Sequence, residues 1–430
     1  MAENDHRSRE WSTFGIDQEN NLEEILEPGP NCCIYRVPQY LRKINEEAYT
    51  PSLISIGPLH YGRRELMRME NQKRRYWSKF DQRVNAQKLE EFKTYIQSQE
   101  QCIRDHYSVS STLPSLEYVA MILRDAVFII ELIMRKYYDT CDFLLKPPLV
   151  ISIKNDLLLL ENQIPYFVLN NLYTFCFPSR EGDPSFFLLS LNFFYGILIF
   201  KQLSSSTLLV EQPEVKHFTD LLRVALVMKF QPAVQSKVDI IYDLPTATKL
   251  NESGLEFKGI EDKCLFDIRM VKRKHGKWLS CFEVNELQIP RNEIDDSTEV
   301  LLRNLMALEM FHYPTQSHIC NYAFLMDYLI DTVKDVDLLA EKGIIANYVG
   351  DNEAIAKMFN RLCSNIPVTD SCYYDVVEKM KAHYKYPWNH AKATLKSVYF
   401  NNLWTGTATV AAAFLLILTV IQTICSIMQH

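Results

Sequence analysis

The chain has 430 residues, 47% hydrophobic and 23% charged, enough for one large or two modest domains with a proper core. Its formal net charge of −7 gives no general reason to expect nucleic acid as a partner. Only 12 glycines occur, and no two stand two or four apart, so a dinucleotide fingerprint and a hydrolase nucleophile elbow both lack their backbone freedom.

Residues 1–30 are polar, turn acidic, and close with Pro28-Gly29-Pro30, which reads as a mobile tail. The first residues carry no apolar run, so no secretory signal is expected. Eleven cysteines at irregular spacing, without C-x-x-C, point to free thiols in a reducing compartment. Cys32-Cys33 invites acylation or redox chemistry; two buried thiols entering a core are the ordinary alternative. Gly57-x-x-x-x-Gly62 has phosphate-loop spacing but is followed by Arg63-Arg64, and Pro58 removes a donor amide, so the match fails.

Residues 63–93 form a helical run with a local charge of +5. That surface can face acidic lipid or an acidic partner. The alternative is a solvated face with Met69, Tyr76, Phe80 and Val84 turned inward. Residues 115–138 make the next helix, with Val119, Ile122, Val127, Ile130 and Met134 at helical spacing. Asp125 and Glu131 lie within it. They invite acid–base chemistry, yet six positions apart they face different sides.

Residues 156–169 organise the chain: four leucines run into Glu161-Asn162-Gln163, then Pro165 and a second apolar run. Pro165 breaks the helix, so two core helices should join here, with the polar trio tying the junction to its neighbours. Glu161 is the best single catalytic candidate, since burial raises a carboxyl; Asp156, Asp125 and Glu131 follow it. No nucleophile or metal-ligand pattern accompanies them, so structural roles are the alternative. No cofactor or metal is expected.

Residues 184–200 read as a buried helix, 203–214 as a loop and 217–229 as a helix. A period-two pattern at Phe266, Ile268 and Met270 and a turn at 272–277 suggest a β-hairpin insertion within 254–289, with 255–258 as a third strand. Residues 293–360 return to helix. His312, His318 and Cys320 form a His/Cys cluster that fits no standard zinc spacing. Residues 405–428 carry no charge, and 24 residues at ~1.5 Å each span about 36 Å against a ~30 Å hydrocarbon core. A C-terminal transmembrane helix is therefore expected, with Trp404 at the interface and the body, 31–404, on the cytosolic side of a plasma or internal membrane.

Several blocks together resemble the plant domain-of-unknown-function 247 family of membrane proteins. They include Cys33-Ile34-Tyr35-Arg36-Val37-Pro38, Ile56-Gly57-Pro58-Leu59-His60, Met69-Glu70-Asn71-Gln72-Lys73, residues 123–132, residues 156–169 and Leu287-Gln288-Ile289-Pro290. The resemblance runs from about Cys32 to the C-terminus. It implies a mainly helical domain plus one C-terminal span, in land plants, and brings no agreed catalytic residues. Some grass members of that family are implicated as pollen-side determinants of self-incompatibility, a recognition role. The sequence departs at Ala126-Val127, where relatives usually carry Gly and Cys, and its C-terminal extension is short.

The fold class expected is thus mainly α, with a small β-hairpin insertion and one C-terminal transmembrane helix. Two functions follow. One is a membrane-tethered recognition or regulatory module with a protein partner, and with acidic lipid at 63–93 as a further contact. The other is an enzyme applying buried carboxylates to a small molecule.

Overall fold

A computed structural model describes residues 29–178, 183–195, 197, 213–228, 230, 237–261, 264–274, 283–399 and 403–428. Residues 1–28 of the expected tail, most of the 203–214 loop and the tip of the expected hairpin lie outside the described residues.

A short helix α1 (Gln39–Arg42) precedes α2 (Met67–Arg83), α3 (Ala86–Ser98), α4 (Glu100–Asp105) and α5 (Ser115–Tyr137). The basic run 63–93 is thus two helices. Val84 is extended between them, and the Asn85 side chain caps α3 by accepting from the Gln87 amide. Met69, Tyr76, Phe80 and Val84 are buried, as their spacing implied.

Helix α5 is the first hub. It is apolar almost all round, which lets α2, α3, α7 (Tyr166–Cys176) and α8 (Phe186–Phe194) close on it from several sides. Helix α6 (Leu149–Leu158) ends before the junction and α7 starts directly after Pro165, so the break falls where the proline requires it.

The second hub is α11 (Thr298–His312), packed by α6, α9 (Phe218–Val227), α12 (His318–Leu329) and α14 (Asn352–Leu362). Beyond it, α13 (Val333–Glu341) packs on α14 and on α10 (Ala247–Glu252), and α16 (Pro387–Tyr399) packs on α10 and on α15 (Tyr374–Lys385).

The β insertion is present but differs in detail. Strands β2 (Arg269–Lys274) and β3 (Glu283–Pro290) pair antiparallel, Arg269 opposite Gln288, and β1 (Glu256–Ile260) joins β3 in parallel. Phe266 and Ile268 precede the strand rather than belonging to it; both are buried, so core burial mimicked the strand pattern. A second sheet, β4 (Asn292–Ile294) with β5 (Ile345–Asn347), went unread because three-residue strands carry no period.

The C-terminal expectation is corrected. Residues 403–428 do form helix α17 (Leu403–Met428), but among the described residues no helix is long and apolar enough to cross a membrane. The exposed apolar side chains of α17 run over 414–428, interrupted by Thr419, Gln422 and Thr423. The observed fold class is mainly helical with two small sheets.

Candidate functional site

The junction between α6 and α7 lies on the irregular segment 50–62, and its polar side chains supply the hydrogen bonds that segment cannot make to itself. Asp156 Oδ1 accepts from the Ser52 amide at 2.8 Å, and Oδ2 accepts from the Leu53 and Ile54 amides at 2.7 Å each. Asn162 accepts from the Ile56 amide at 2.7 Å and donates to the Ile54 and Asp156 carbonyls. Gln163 donates to the Leu157 and Leu159 carbonyls and accepts from the Phe218 amide, which fixes the start of α9. From the α11 side, Asn304 accepts from the Leu160 amide and donates to the Ala48 carbonyl.

Glu161 completes the junction. Its Oε1 accepts from the Val37 amide at 2.7 Å; its Oε2 meets Arg42 at 2.5 Å and lies 3.2 Å from Nε2 of the buried His60. Burial pushes this carboxyl up, but His60, Arg42 and the Val37 amide outweigh it and hold the group below its ordinary range. Asp156 goes the other way: burial dominates and raises it, against the pull of the Ser52, Ile54 and Leu53 amides.

Gly57 explains the failed phosphate-loop spacing. Its φ is +70°, and a Cβ there would stand 2.3 Å from the Gln163 carbonyl oxygen. Its amide donates to Asp125 Oδ2 at 2.9 Å. The glycine lets segment 50–62 lie against the junction. Gly57→Ala is expected to cost about 2–3 kcal/mol, from left-handed strain and backbone displacement, measured by urea denaturation.

Of the remaining candidates, Asp125 meets segment 50–62 from the α5 side, and Glu131 pairs elsewhere. Asp125 pairs with the fully buried Lys73 at 2.7 Å, and Lys73 also reaches the Ser55 carbonyl at 2.5 Å and Glu70 at 2.5 Å. Burial raises the Asp125 carboxyl while Lys73 pulls it down. Glu131 pairs with Arg83 and, at 2.7 Å, with Arg135. Sequence reading missed Glu309, whose Oε1 meets Arg223 at 3.1 Å while Oε2 accepts from the Ile319 and Cys320 amides. Burial pushes it up to about 7. An acid deep inside Leu-rich α11, beyond the first-turn Glu299, was the available signal, the same one that singled out Asp125 and Glu131.

The His/Cys cluster disperses. His312 Nδ1 is 3.0 Å from the Tyr35 hydroxyl, the His318 ring stands edge-on to Phe230, and Cys320 faces the Met306 carbonyl. Among the described residues no group of three His, Cys, Asp or Glu side chains could hold a metal. Cys32 and Cys33 are both buried, and burial raises both thiols, Cys32 to about 11.

His217 is buried, with Nε2 3.0 Å from the Cys33 carbonyl, and burial lowers it from 6.5 to about 4. Between those values the unfolded chain takes up a proton that the folded ring refuses, so stability falls as pH drops through that window. From pH 7 to pH 5 the wild-type chain should lose about 2 kcal/mol more than a His217→Gln variant, measured by urea denaturation at each pH. The raised Glu309 acts in the opposite sense in both chains and cancels from the difference.

One open cleft of about 360 Å³ is described, between α2, α3 and α5. Its lining includes Arg74, Trp77, Lys93, Arg124 and the buried Leu89 and Leu123; Glu90 is the one acid in the lining. None of Asp125, Glu131, Asp156 or Glu161 lines it.

A family profile described as a plant protein of unknown function, DUF247, matches residues 34–418. UPF0481 protein At3g47200 of Arabidopsis thaliana is 27% identical, the alignment covering 93% of this chain and 87% of that protein. A second Arabidopsis UPF0481 protein, At3g02645, is 23% identical over 94% of this chain and 91% of its own length. No solved structure matches. The junction motif, the Leu-Arg-Asp block of α5 and the cleft all lie inside the matched span, and the chain belongs to the DUF247 family of plant proteins.

Proposed function

We propose that the chain is a recognition module that holds a ligand or partner without transforming it. The observation behind this reading is how fully its candidate acids are engaged. A general acid or base must exchange a proton with a substrate within about 3 Å. Asp156 instead holds three amides, Asp125 and Glu161 each hold an amide and a buried cation, and Glu131 holds two arginines. The described cleft is lined by cations and apolar groups suited to holding rather than to proton transfer. Exposed apolar residues of α17, among them Leu416, Ile421 and Ile427, add contact surface of the kind interaction faces use.

An enzymatic reading draws on Glu309, raised to about 7. Both its oxygens are taken by Arg223 and the first amides of α12, and it is 0% exposed, which weighs against access.

The test is incubation of the full chain with a plant metabolite extract, read by mass spectrometry against heat-denatured protein. Compounds retained at unchanged mass are expected. A time-dependent conversion seen only with the folded chain would overturn the proposal.

A further inference from the structure

We propose that the cleft between α2, α3 and α5 binds an amphiphilic anion: a small apolar body carrying one carboxylate, phosphate or sulfate. The inference rests on the recognition reading and gives it a ligand class. Leu89 and Leu123 form a buried apolar floor, and half-buried Trp77 adds a flat wall. Arg74, Lys93 and Arg124 contribute three cations against the single acid Glu90. A volume of about 360 Å³ suits a compact ligand rather than a peptide.

Each cation is available in its own way. Arg124 lies 3.3 Å from Glu70, whose other oxygen holds Lys73, and Lys73 holds Asp125. This alternating chain of charges runs from the core to the cleft and aims the Arg124 guanidinium before any ligand arrives. Lys93 meets Glu90 at 3.3 Å across an exposed pair, the kind a better-placed anion displaces at little cost. Arg74 makes one long contact, 3.5 Å to Asn71. A planar guanidinium matches a carboxylate or phosphate in fork geometry, and two of them converging on one cleft favour an anionic head over a neutral polar one.

The experiment is calorimetric titration of the full chain with 2-naphthyl phosphate, alongside 2-naphthol and inorganic phosphate. Naphthyl phosphate is expected to bind at least 10-fold more tightly than either part alone. Arg74→Gln, which changes an exposed residue and leaves folding intact, should weaken it about 5-fold or more, and Arg124→Gln at least as much. Equal affinity for naphthyl phosphate and naphthol, no binding, or unchanged affinity in the Arg74→Gln chain overturns the proposal. Dihexanoyl phosphatidic acid separates the two sources of this head chemistry. Tighter binding than naphthyl phosphate assigns the site to a lipid headgroup, and weaker binding assigns it to a soluble anion. Release of fluorescent 2-naphthol during the titration would overturn the recognition reading while leaving the anion site standing.

Discussion

Lys73→Met should destabilise the chain by about 3–5 kcal/mol, the cost of breaking a buried ion pair from one side. Lys73 is 0% exposed, and its ammonium bridges the Ser55 carbonyl, Asp125 and Glu70. Met fills much of the volume and donates nothing. Asp125, already raised by burial, loses the cation that pulls it down, and the Ser55 carbonyl loses its donor. The sign of the pH dependence follows. Without Lys73 the Asp125 carboxyl rises further, so the variant's deficit should shrink as pH falls and the group takes a proton. Urea denaturation at pH 5 and pH 7.5 measures both effects. Adding Asp125→Asn to Lys73→Met should recover part of the loss, because the isolated charge is then gone.

Glu161→Ala should cost about 3–5 kcal/mol, lowering the melting temperature by roughly 5 °C in a chain of this size. The substitution strands the Arg42 guanidinium, whose side chain is 10% exposed, and leaves the Val37 amide without an acceptor. His60 loses its neighbouring carboxylate as well. Glu161→Gln keeps an oxygen for Val37 but turns an amide toward Arg42 and His60, donor against donor, and should lie between wild type and Ala. Differential scanning calorimetry of the three chains gives the order.

Local chemistry was legible in the sequence; its long-range partners were not. The break at Pro165, the inward face of α2 and the extent of α5 follow from proline geometry and helical period. The polar trio announced itself because three adjacent polar residues in an apolar run must find partners. Asn162 finds Ile54 and Ile56 about a hundred residues away, Glu161 finds Val37 and Arg42, and Gln163 reaches forward to Phe218, and no periodicity reports a loop held by side chains. Glu309 shows a signal left unused, since an acid inside α11 carried the same implication as Asp125 in α5. The cleft was half visible: 63–93 was read as a basic face, but the step that brings α3 beside α5 sits at Val84-Asn85, and Arg124 contributes from a different helix. The apolar C-terminus was read from its length and lack of charge, and the span it implied was not borne out among the described residues.

The measurement that bears most directly on the structural role of the junction acids is amide hydrogen exchange across 50–62 in the unmodified chain. The segment is irregular apart from short turns, yet Leu53, Ile54, Ile56 and Gly57 donate to Asp156, Asn162 and Asp125. If those acids are held as a frame, these four amides exchange as slowly as those in the middle of α5. Exchange at the rate of an exposed loop would mean that Asp125 and Asp156 are not committed to the backbone, and would return them to consideration as acids available for chemistry.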